Sequence, residues 1–144
     1  MVEFAIIVPI MVLLVFGITE LGRALFQWNT LTKAVATGAR YMARSNGDLV
    51  TTSCGSGTTW TTHETTAKDL IIYGNGTEPR LPHLERDVIT ITSRPGTGSF
   101  LSTCIIEVQA EVPFDWMVGG PLIPMDVVES ITLTARTEER YIGE

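Results

Sequence analysis

His63 stands directly before Glu64, with Asp69 six residues after His63, a set that could ligate a metal or act as an acid/base pair. The H-E-x-x-H spacing that puts two imidazoles on one helix face does not follow, and the surroundings read as polar, Thr-rich loop. His83 is alone after Pro82. No serine lies in a nucleophile elbow, and no Gly-rich loop joins a strand to a helix. Cys54 and Cys104 are too far apart for a zinc site or a redox pair. In a body outside the cytoplasm, one structural disulfide between them is the better reading. No catalytic, cofactor or metal site is expected, and the chain is read as not an enzyme.

The most consequential acid is Glu3, at the start of a stretch with no other ionisable residue before Glu20. Those roughly 16 residues give about 24 Å of apolar helix at ~1.5 Å per residue, slightly short of the roughly 30 Å hydrocarbon core of a bilayer. Such a helix suits temporary residence in a membrane, followed by packing against copies of itself. A carboxylate in this setting costs about 2.5 to 3.5 kcal/mol at mid-bilayer and less near the interface. Glu3 therefore needs a cationic partner, protonation or water, or it is an interfacial acid favoured by the helix dipole. Pro9 removes one backbone donor and crowds the carbonyl of Ala5, so a kink or local unwinding is expected there. It serves either as a simple kink or in assembly. A cleaved secretory signal is rejected: the basic n-region and small-residue cleavage site are missing, and the helical pattern runs on past Thr19.

The elements that must position these residues begin with that helix. From Glu20 onward, apolar or small residues recur at Leu21, Ala24, Leu25, Trp28, Leu31, Val35, Gly38, Ala39 and Met42, the spacing of one buried stripe. Glu20 and Arg23 are one turn apart and can pair. Arg40 and Arg44 complement the dipole near the C-terminal end, and Ser45, Asn46 and Gly47 supply the stop. A helix over residues 2–45 would be roughly 65 Å long. Two parts are therefore expected: residues 1–19 as a hydrophobic membrane or filament-core segment, and residues 20–144 as the second half of the helix plus a globular sheet domain.

The chain has 144 residues, 44% of them hydrophobic, enough for one modest core beyond the apolar segment. Its net charge of −6 and lack of a basic stripe argue against a nucleic-acid partner. Residues 48–85 are rich in Thr, Gly and Ser and read as an exposed excursion, with a short helix or strand over residues 66–73 ended by Gly74. Asn75, Gly76 and Thr77 form a turn and also a glycosylation sequon, making Asn75 a candidate acceptor on an exposed filament.

Alternation marks strands over residues 88–93, with Ile89 and Ile91 on one face, and over residues 104–114, with Cys104, Ile106, Val108, Ala110, Val112 and Phe114 inward. Ile131, Leu133 and Ala135 repeat the pattern in a last strand. Residues 94–98 should turn the first strand into the second as an antiparallel hairpin. The linker DWMVGGPLIPM leaves Trp116, Met117, Val118, Leu122 and Ile123 either buried on the domain's own helix or contacting a neighbouring subunit. The economical fold is α+β: a long N-terminal helix packed on a small antiparallel sheet.

The run VEFAIIVPIMVLLVFGITELGRAL, followed by NTLTKAVATGARYMA, resembles the N-terminal region of TadE-like pseudopilins, the pilin-related proteins of tight-adherence pilus systems. The closing ITLTARTEER is similar to the family's last strand, whereas the middle is only loosely alike. The resemblance implies a pilin-like fold and makes Glu3 the acid that pairs with the N-terminal amine of a neighbouring subunit. In pilins that acid usually stands fifth in the mature chain, after a basic leader that a prepilin peptidase removes, whereas here it stands third. The implied partners are further copies in a homo-oligomeric helical filament, the inner membrane before assembly, the pilus machinery and a prepilin peptidase.

Three classes compete: a filament subunit, a membrane-anchored minor pseudopilin that primes or caps a pilus made by another pilin, and a binding module displayed on an anchor. The first is the reading adopted, with Glu3, Pro9, Glu20 and Arg23 as assembly residues, and the second is its alternative. The expected location is a surface filament, preceded by a single-pass state in the cytoplasmic membrane.

Overall fold

The computed structural model describes residues 2–46, 49–50, 54–96, 103–117 and 131–143. Helix α1, Val2–Arg44, runs for 43 residues, about 65 Å at ~1.5 Å per residue. Its threonines would ordinarily weaken it, but Thr19, Thr30, Thr32 and Thr37 each donate a hydroxyl to the carbonyl four residues back, so they fold into the helix instead of competing with it. The helix ends where the Ser45 N–H turns back to the Met42 carbonyl and the Ser45 hydroxyl bonds to Tyr41 O at 2.8 Å. Pro9 lies inside α1, which remains α-helical on both sides of it. The local unwinding expected there is thus not present in the single chain, because one absent N–H does not stop the surrounding turns from closing.

Two short strands, β1 (Leu49–Val50) and β2 (Gly55–Ser56), pair antiparallel after α1. They are followed by helix α2, Trp60–Ile72. The main sheet comprises β3 (Ile89–Pro95), β4 (Cys104–Pro113) and β5 (Thr132–Arg140), antiparallel in the order β3-β4-β5. Its register sets Ile91 opposite Val108 and Ala110 opposite Ala135, which brings the inward side chains of all three strands to one face. The inward set over β4 is as the alternation predicts, with Cys104, Ile106, Val108, Ala110, Val112 and Phe114 buried. Two details differ. Arg94 and Pro95 extend β3 instead of opening the turn, and the connection over residues 97–102 lies outside the described residues. Ile131, placed by parity in the inward set, is 45% exposed because β5 begins only at Thr132.

The inner face of the sheet packs on the C-terminal half of α1, where Leu31, Ala34, Val35, Ala39 and Met42 are buried. Helix α2 packs on the same half of α1, and it is here that the sequence reading falls short. The Thr-rich stretch is a 13-residue helix, with Trp60, Ala67, Ile71 and Ile72 buried. Its exposed threonines bond back along the helix (Thr65 to Thr61 O, Thr66 to Thr62 O), and Glu64 and Lys68 pair at 3.0 Å. Four buried residues at helical spacing outweigh weak intrinsic propensity. The two helices meet closely at Gly38, where a Cβ would stand 2.5 Å from the Ile71 side chain. Helix α2 ends in a left-handed cap at Gly74 (φ +61°), whose N–H bonds to Leu70 O at 3.0 Å.

Two ties close the domain. Cys54 and Cys104 are disulfide-bonded across 50 residues, with their Cα atoms 5.4 Å apart, joining the segment after α1 to the start of β4. At the other end, the Tyr141 hydroxyl donates to Ser45 O and the Ile142 N–H to Ala43 O, both at 2.8 Å, so the chain beyond β5 returns to the end of α1.

Candidate functional site

The two halves of α1 have opposite environments. Every described side chain from Ile6 to Thr19 is exposed, whereas the buried stripe begins at Leu31. Leu21, Leu25 and Trp28, assigned by periodicity to that stripe, are exposed as well, and Ala24 alone of this group packs partly against the core. The physical reason is the face they occupy. The sheet domain reaches this level of the helix, where the Trp28 indole N–H donates to the Thr134 carbonyl at 3.2 Å, but it covers the side bearing Glu20, Ala24 and Leu31 and leaves the Leu21, Leu25 and Trp28 side chains largely outside. Exposed apolar surface therefore runs from Phe4 to Trp28, about 36 Å along the axis and somewhat more than the roughly 30 Å of a hydrocarbon core. A helix apolar on all sides is stable only where lipid or other protein surrounds it. By length and composition, α1 is able to cross a membrane. Glu3 lies in its first turn and Pro9 two turns further on.

Where this bare helix meets the domain, polar groups clasp it. Glu20 is only 6% exposed, and its Oε1 accepts the Met117 backbone N–H at 2.8 Å. Arg23 Nε lies 3.6 Å from Glu20 Oε2, one turn along the helix. The same guanidinium donates through Nη2 to the Asp115 carbonyl and lies over the Phe114 ring, 5.1 Å from its centroid. Trp116 meets Phe114 edge-on at 5.5 Å, and His83 Nε2 stands 2.7 Å from Asp115 Oδ2. A carboxylate this buried is tolerable because a guanidinium and a backbone donor face it. The helical spacing foretells the Glu20–Arg23 pair but not its grip on residues 114–117. That contact spans more than 90 residues of sequence and leaves no local signal.

The strand end held by the clasp presents its own apolar side chains to solvent: Trp116 is 37% and Met117 68% exposed. Burial on the domain's own helix is overturned for Met117, whose backbone the clasp holds with the side chain outside, whereas Trp116 is partly covered, edge-on against Phe114. Val118, Leu122 and Ile123 lie outside the described residues.

The residues weighed for catalysis do not converge. His63 meets Tyr41 edge-on at 6.0 Å, Glu64 is engaged by Lys68, and Asp69 receives two 2.8 Å hydrogen bonds from Arg86. Among the described residues, no group of three or more His, Cys, Asp and Glu side chains could hold a metal ion. Asn75 is exposed in the turn after α2. On the outer face of the sheet, Glu107 and Glu138 stand directly opposite each other and are bridged by arginines: Arg94 to Glu138 at 2.7 Å, and Arg136 to Glu107 at 2.8 Å and to Glu138 at 2.9 Å. Hydrogen bonds from Arg94 and then Arg136 hold the Glu138 carboxyl below its ordinary value of 4.5.

Residues 1–40 match the family model described as TadE-like protein, so the N-terminal part of the chain is similar to that family. The match spans the bare apolar segment and the clasp residues on α1, and it ends before the sheet. No curated protein and no solved structure matches the chain.

Proposed function

We propose that this TadE-like chain is a structural subunit of a type IV pilus-like filament, assembling by bundling of its N-terminal helices with those of other copies. The observation that carries the proposal is the all-round exposure of α1 from Ile6 to Thr19, on the same continuous helix whose last turns form the domain core. A rigid domain is thereby fixed to an apolar rod. In the cytoplasmic membrane, lipid surrounds the rod; in a filament, neighbouring rods replace the lipid while the sheets face outward. The exchange leaves the domain fold untouched, since its core begins at Leu31.

Within this reading Glu3 sets the stagger. A lone carboxylate is disfavoured in lipid, and in a bundle it meets the N-terminal amine of another copy, giving a charge-assisted hydrogen bond in low dielectric. Such a pair need not stabilise more than an apolar substitute would. Its value is register, because one acid and one amine per subunit favour one axial offset. Glu20 and Arg23 serve assembly indirectly by fixing the angle between rod and domain. Pro9, with its absent N–H, is the place where α1 can bend as neighbours close around it.

The test is to shear surface filaments from cells making this chain and identify their main protein. Filaments built chiefly of this chain support the proposal. Filaments built of another pilin, with this chain at a few copies or left in the membrane, replace it with the minor pseudopilin that primes or caps assembly.

A further inference from the structure

We infer that Trp116 and Met117 form a second membrane contact, a foot on the sheet domain that enters the lipid interface beside α1. The inference rests on the reading of α1 as a membrane helix before assembly. Met117 N–H bonds to Glu20 Oε1 at 2.8 Å and Asp115 O accepts from Arg23, so the end of the strand is fixed at the level of Glu20 along α1. Glu20 is the first ionisable residue after the apolar run. When residues 4–19 occupy the hydrocarbon, Glu20 lies at its boundary, and the foot must lie there too. This constraint acts within each chain, before any neighbouring copy is present, and so selects the bilayer over a second copy as occupant.

The chemistry of the foot suits that depth. The Trp116 indole is apolar with one donor, the combination enriched at membrane interfaces, and Met117 is largely exposed. Leu21, next to Glu20 in α1, is exposed as well and adds apolar surface at the same level along the helix. The nearby carboxylates have partners within the protein, Glu20 facing Arg23 and Asp115 in hydrogen-bond contact with the His83 ring, which lowers the cost of bringing them toward a low dielectric.

The test uses the full, oxidised chain in phosphatidylcholine and phosphatidylglycerol vesicles whose lipids carry bromine on either the upper or the deep acyl carbons. Trp116 fluorescence is the difference between wild type and Trp116→Phe. It should be quenched more by upper than by deep bromines, and the upper-chain quenching should persist in Trp28→Phe. A helix probe, Phe4→Trp in the Trp116→Phe background, separates the possible failures. If bromines quench the helix probe while wild type and Trp116→Phe respond identically, α1 is in the membrane but the foot is not, and the inference is overturned. If neither depth of bromine quenches the helix probe, the membrane reading itself falls. Trp116 shielded from bromine and from an aqueous quencher alike would mean that another copy covers it, which also overturns the inference.

Discussion

Glu20 Oε1 accepts the backbone N–H of Met117 at 2.8 Å, a contact across 97 residues that joins the end of the exposed apolar helix to the segment following β4. Together with Arg23 it makes the junction between rod and domain rigid, and the junction yields a first prediction. Glu20→Ala leaves a half-buried guanidinium facing no carboxylate and a backbone donor without this acceptor. It should destabilise the folded domain by about 1 to 3 kcal/mol. Glu20→Gln keeps an acceptor and should cost less. Thermal unfolding of the full chain in detergent reads the difference, and equal stabilities for Glu20→Ala and wild type would mean that the clasp holds nothing.

A second prediction concerns the helix crossing. A Cβ on Gly38 would lie 2.5 Å from Ile71 Cγ1 and Cδ1. Gly38→Ala gains about 1 kcal/mol of helix propensity and opposes it with an overpacking cost of about 1 to 3 kcal/mol, so the variant should be neutral to destabilised. In an Ile71→Ala background, where both contacting carbons are gone, the same change should be less costly or stabilising. A double-mutant cycle showing strict additivity would place Gly38 and Ile71 outside each other's influence.

The third prediction is that the Cys54–Cys104 bond stays within one subunit of any assembly. Closing a 50-residue separation contributes on the order of 4 kcal/mol in the chain-entropy model, a large share of the stability of a thin core. Reduction should lower the unfolding temperature without changing the subunit mass on non-reducing gels. A dimer band that disappears with reductant would contradict it.

Much of this architecture is legible in the sequence because its signals are local. The uninterrupted apolar run sets α1, and the alternation from Cys104 to Phe114 sets β4 and its inner face. Helix α2 is only half legible: a short helix or strand is expected over residues 66–73, and its first turns from Trp60 are hidden by threonines and a Gly-rich approach, because the value of its four buried residues appears only against α1. The clasp is half legible: Glu20 and Arg23 lie one turn apart, whereas the partners Asp115 and Met117 are set by where the sheet docks. The stripe from Leu21 to Trp28 reads as core because periodicity reports an apolar face and not what covers it.

The sheet's outer face gives a fourth prediction, in pH. Arg94 and Arg136 lower the Glu138 carboxyl below 4.5 in the folded state, so the folded protein releases this proton more readily than the unfolded chain. The resulting stabilisation is present above about pH 4.5 and is lost as pH falls through the lowered folded value. Glu138→Gln should therefore flatten the acid limb of the stability profile. Carboxyl titration by NMR in Arg94→Ala should show Glu138 moving upward, and an unmoved titration would leave the bridge without electrostatic consequence.

The measurement that bears most directly on the assembly mechanism is the surface filament yield of Glu3→Ala, scored beside protein level and disulfide content. Glu3 lies many turns from Leu31, where the buried core begins, so the domain should fold and its cysteines pair as in wild type. Loss of surface filaments with the folded subunit retained in the membrane is the expected result, and Glu3→Gln shows whether charge or only hydrogen bonding is required. Normal filaments from Glu3→Ala would contradict a register set by one acid and one amine per subunit.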